Sequence, residues 1–175
     1  EQAAPVQISA RARQTYTLER YLLCLLLRQP DALYQVDRAL QRAGLVRFSP
    51  EDFEHGDHQA LARLLQLSIE QDTQEPPEFI ASSMPETLQE TAADMLQPIE
   101  KGDPTPEKLV EECARAIMNL RKERINTSLG QLRFMQEDLQ AQGETMLESF
   151  SEMVLSYTRT LARLDKALGQ PLQLD

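Results

Sequence analysis

One short run holds most of the residue types that could do metal or acid–base chemistry: Glu54-His55-Gly56-Asp57-His58. Imidazole nitrogens and carboxylate oxygens are both ligands of zinc-like ions, so two histidines at this spacing beside carboxylates could hold a divalent metal. A simpler account uses the same residues. Asp57 serves as a helix N-cap, His58 packs on its neighbours at the helix start, and Gly56 loosens the loop. No third good ligand lies nearby in the sequence. The expectation is therefore no metal and no cofactor, with a small metal-dependent helical enzyme built on His55 and His58 kept as an alternative. The acidic pair Glu51-Asp52 reads as helix-start chemistry. Glu111-Glu112 and Glu137-Asp138 read as solvated helix faces. There is no glycine-rich phosphate loop, no CxxC and no DxD, so no catalytic residue is assigned.

The elements around this run are helical. Leu, Ala, Glu, Gln and Arg dominate, aromatic residues make up 5% and Trp is absent. These are good helix formers, and periodic β-branched runs are missing. Residues 1–14 read as a linker. A first helix from about Thr15 to Arg28 is apolar nearly all round, as a central bundle helix is. A second, Asp31 to Ala43, closes on Gly44, a natural residue just past a helix end. Ser49-Pro50-Glu51-Asp52 is a strong helix start. Helices follow from His58 to about Gln71, over a short segment from Pro76, and from Glu86 to Gln97.

Thr105-Pro106 opens a long helix that meets no proline before Gly143. Glu144 to Leu168 returns as the second arm of an antiparallel hairpin. Leu109, Cys113, Ile117 and Leu120 serve the front bundle. Ile125, Leu129, Leu132, Met135 and Leu139 face a seam of Leu147, Phe150, Val154, Tyr157, Leu161, Leu164 and Leu168, spaced like a coiled coil. The weak helix formers Asn126, Thr127, Ser128 and Gly130 lie between the two sets and mark a candidate bend. The fold class is all-α: a helical bundle, residues 15–120, then a long connecting helix and a C-terminal helical hairpin, residues 121–175. Phe53, Leu132, Phe150, Tyr157 and Leu161 are assigned structural roles.

The chain carries 18 Lys and Arg against 28 Asp and Glu, a formal net charge of -10. Phosphate backbones repel such a surface, so a protein partner is expected and direct nucleic-acid binding is not. Arg121, Lys122 and Arg124 read as a solvated helix face. Cys24 and Cys113 sit in apolar helical patterns and read as buried thiols, which fits a reducing cytosol. The longest apolar run, Tyr21 to Leu27, falls far short of the ~20 residues that span a bilayer, and no signal peptide opens the sequence. Without an initiator Met, the chain reads as a fragment of a longer, cytoplasmic protein.

Two segments carry a resemblance. Leu22-Leu23-Cys24-Leu25-Leu26-Leu27-Arg28-Gln29-Pro30 with Asp31-Ala32-Leu33, and Ser49-Pro50-Glu51-Asp52-Phe53 with His58, Leu61, Leu64 and Leu65, resemble segments shared by two related domains. These are the C-terminal helicase-binding domain of bacterial DnaG-type primases and the N-terminal domain of DnaB-type helicases. Leu120 to Arg124, Leu129 to Gln142 and Tyr157 to Leu168 look like the long helix and closing hairpin of the primase domain. The resemblance implies a non-catalytic fragment of a primer-synthesising enzyme, docked on the hexameric replicative helicase through its hairpin. In some primases, the resemblance further implies, this domain also meets the acidic tail of single-stranded DNA-binding protein. The alternative is a helicase N-terminal domain, a self-assembly and primase-binding module.

Phe134 lies about 200° around the long helix from the seam residue Leu132, at ~100° per residue, one turn from the bare Gly130. It is the first candidate anchor for a partner. Leu155, with Arg159 and Arg163, completes the candidate contact set on the last helix.

Overall fold

Ser9 and Thr105 start the two helices on which the chain is organised. The computed structural model describes residues 9–98, 102–139 and 144–174, without the side chains of 137–139 and 144–147. Among them are seven α-helices, one 3₁₀ turn and no strand. The helices are α1 (Ala10–Arg28), α2 (Ala32–Arg42), α3 (Gly56–Glu70), α4 (Pro76–Ser83), α5 (Glu86–Met95), α6 (Pro106–Leu139) and α7 (Glu144–Leu168), with the 3₁₀ turn at Pro50–Asp52. The all-α expectation holds.

Helix α1 begins five residues before the expected Thr15. Ser9 caps it by accepting the Ala12 N–H at 3.2 Å, and Arg11 pairs with Glu123 of α6 at 3.0 Å. Residues 10–14 are therefore helix rather than linker; residues 1–8 lie outside the described residues. The cap and a tertiary partner supply what the local polarity did not signal. From Leu22 to Leu27 α1 is buried on every side, so it runs through the middle of the bundle, against α3, α5 and α6.

Helix α2 ends in a Schellman motif: the Leu45 N–H reaches Leu40 O and the Gly44 N–H reaches Gln41 O, both at 2.9 Å. Gly44 takes φ +75°, which a side chain would resist. The 3₁₀ turn stops at Asp52 because Phe53 turns extended and drops its ring into the core (2% exposed). Phe53 meets Phe48 edge-on, with ring centroids 5.7 Å apart.

Thr105 caps α6, its hydroxyl accepting the Lys108 N–H at 3.4 Å. The helix runs unbroken through Asn126–Gly130, where Thr127 returns its hydroxyl to Glu123 O at 2.9 Å. Its 34 residues span roughly 50 Å. The front half packs on α1 and α2, and α7 runs back along it. Lys122 meets Asp165 at 2.6 Å, and Arg115 donates to Leu168 O at 2.9 Å, which fixes the antiparallel sense.

The core does not stop at residue 120. Ile125, Leu164 and Ala167 belong to the same buried cluster as Leu22 and Ile117, with Leu129, Tyr157, Leu161, Leu168, Leu172 and Leu174 packed against it. Bundle and near half of the hairpin thus share one core. Of the seam, Leu132 and Val154 are half-buried and Phe150 is buried outside that cluster. Met135 is 53% exposed, against expectation. The expected Gly143 stop and the Leu139 and Leu147 side chains lie outside the described residues. Cys24 and Cys113 are buried thiols, and burial pushes Cys113 up to about 12.

Candidate docking surface

Past Leu129 the hairpin leaves the shared core. Helix α6 continues from Leu129 to Leu139, roughly 15 Å further. This stretch and the facing part of α7 carry large apolar side chains in water. Phe134 is 83% exposed, Met135 53%, Leu155 49% and Met153 45%. A phenylalanine this bare gives up most of the hydrophobic free energy it would gain by burial, of order 2 kcal/mol. Scattered apolar residues are ordinary on a surface; several sharing the free end of one hairpin mark a place to bind. Residues 130–156 hold one arginine, Arg133, against five carboxylates: Glu137, Asp138, Glu144, Glu148 and Glu152. The stretch is acidic in composition.

Arg159 and Arg163 are exposed on α7, nearer the bundle than Leu155. Arg163 lines a groove of about 590 Å³ with Arg42 and Lys166, walled by Ala39, Ala167 and Leu172. The four candidate contacts thus do not form one patch. Phe134 and Leu155 share the free end, whereas Arg163 belongs to a basic groove where the C-terminal segment crosses α2.

The basic run expected to be solvated is engaged internally. Arg121 is buried, and its guanidinium bonds both Asp52 oxygens at 2.7 and 2.9 Å. It also donates to Val46 O at 2.8 Å and Arg47 O at 2.7 Å. Lys122 pairs with Asp165, and Arg124 donates to the Glu51 carbonyl. A single sequence shows the charges but not the carbonyls and carboxylate that a distant loop brings to them.

The histidine run gained a ligand that sequence spacing could not reveal. Glu19 of α1 is fully buried and lies between the rings, with Oε2 2.6 Å from His58 Nδ1 and 3.1 Å from His55 Nδ1. Glu19 Oε1 accepts the Glu54 N–H. Burial alone would raise the Glu19 carboxyl, but the hydrogen bonds from His58, the Glu54 N–H and His55 outweigh it and hold the group below the ordinary carboxylate range. Tyr16 packs on both imidazoles, with centroids at 4.8 and 5.0 Å. His55, not Asp57, occupies the N-cap position of α3, and Asp57 lies in its first turn. Comparison with protein families, characterised proteins and solved structures returned no match.

Proposed function

We propose that this chain is a non-catalytic docking module of a DnaG-type primase, attaching primer synthesis to the hexameric replicative helicase. The observation that carries the reading is the free end of the hairpin, where Phe134 is 83% exposed beyond the last core contact. The sequence resemblance supplies the partner. A continuous α6, anchored in the bundle by its front half, carries that end out beyond the core. The acidic composition of residues 130–156 favours a receiving surface with an apolar pocket and a basic rim, and such charge matching speeds encounter more than it deepens affinity.

The test is titration of the chain against the helicase of its own organism, with Phe134→Ala alongside. Binding of the parent chain is expected, and the alanine variant should lose about 1–3 kcal/mol of it, the range of an aromatic anchor. Its melting should stay within about 0.5 kcal/mol of the parent, as for an exposed site. No binding at about 50 μM, where a weak but specific contact still registers, would remove the reading. Rings or stable dimers of the isolated chain in light scattering would favour a helicase N-terminal domain instead.

A further inference from the structure

The junction between α1 and α3 holds three side chains with metal-ligand chemistry, and the docking role uses none of them. Glu19, His55 and His58 each offer one ligand atom, and these atoms lie within 4.8 Å of one another. Two imidazole nitrogens and one carboxylate oxygen make a ligand set typical of zinc with an open fourth position. At metal–ligand distances of about 2.0–2.2 Å, tetrahedral ligand atoms stand roughly 3.3–3.5 Å apart. The Nδ1–Oε2 separations are 2.6 and 3.1 Å, so each imidazole needs to part from Oε2 by less than ~1 Å to admit an ion.

The carboxylate is already aimed. The Glu54 N–H holds Oε1 and leaves Oε2 facing both rings, the arrangement by which an outer hydrogen bond orients a ligand. Two of the three ligands are fixed by burial: the Glu19 side chain is 0% exposed and that of His58 2%. The third, His55, is 43% exposed and opens the site to solvent on one side. Tyr16, against both rings, limits their rotation. Without an ion, Oε2 accepts a hydrogen bond from each Nδ1–H.

We propose that Glu19, His55 and His58 form a site for one divalent transition-metal ion, Zn²⁺ or Co²⁺, with water in the fourth position. On binding, each neutral ring passes from the Nδ1–H to the Nε2–H tautomer by exchange with solvent, one proton leaving Nδ1 and one arriving at Nε2, and the freed Nδ1 lone pair takes the metal. The ion then ties the middle of α1 to the start of α3.

The experiment uses the untagged chain, stripped with a chelator and titrated with Co²⁺ and then Zn²⁺. Expected are one equivalent bound, the intense visible bands of tetrahedral Co²⁺, their bleaching by Zn²⁺, and a melting temperature that rises with free Zn²⁺. His55→Ala, at a half-buried position, should keep its helical content. It should weaken Zn²⁺ binding at least as much as the ~10–100-fold typical of losing an outer-shell partner. His55→Gln repeats the test should the alanine variant unfold. Absence of the Co²⁺ bands, or a histidine variant that binds Zn²⁺ as tightly as the parent, would overturn the site.

Discussion

Asp52 shows how much one side chain can be asked to do. Its Oδ2 accepts the Ser49 N–H at 3.0 Å, completing the capping box of the 3₁₀ turn. The same carboxylate takes both arms of Arg121, whose side chain is 8% exposed. Removing one partner of a buried ion pair strands the other charge. Asp52→Ala should therefore cost about 3–5 kcal/mol in urea unfolding, and Asp52→Ala with Arg121→Met should recover much of it. A loss below about 1 kcal/mol would place the pair among weak surface bridges. Helix-start chemistry at Ser49 to Asp52 was legible from the residues. Arg121 was not, because its partner lies in a loop remote in sequence, and the pattern of a basic cluster looks the same solvated or buried.

At the scale of elements, α6 decides what the chain can present. Its start was readable: a capping threonine, a proline at the first position and a regular apolar face. Its continuity was not. Asn126, Thr127, Ser128 and Gly130 are poor helix formers, yet Ile125 and Leu129 pack on the shared core, and that packing outweighs a few tenths of a kcal/mol of propensity per residue. A Cβ added at Gly130 would meet nothing within 4 Å. Gly130→Ala should therefore stabilise the protein by about 0.5–1 kcal/mol. If the rigid helix is what positions Phe134, helicase binding should be unchanged or tighter. Markedly weaker binding by this stabilised variant would instead assign Gly130 a hinge role.

For the whole molecule, acidity and a single continuous core set the behaviour. Asp37 sits at the bundle edge and accepts the Phe48 N–H at 2.8 Å. Burial raises its carboxyl above the ordinary aspartate value, more than the Phe48 N–H, Arg47 and Arg121 lower it. The native state thus holds this proton more tightly than the unfolded chain. Stability from this group is full below the unfolded value and falls as pH rises through the folded one. Asp37→Asn keeps an acceptor for the Phe48 N–H and cannot ionise. Its urea midpoint relative to the parent should improve between about pH 4 and pH 7; a constant difference would remove Asp37 as the cause.

The sequence by itself determined the helical class, most helix boundaries and the bare Phe134, because caps, breakers and 3.6-residue periodicity are local properties of the chain. Only the tertiary structure decided that Glu19 joins His55 and His58, that Arg121 is spent on Asp52, and that bundle and hairpin share one core. Each of these is a meeting of residues from elements far apart along the chain, and local periodicity places a side chain on a face without naming what will face it.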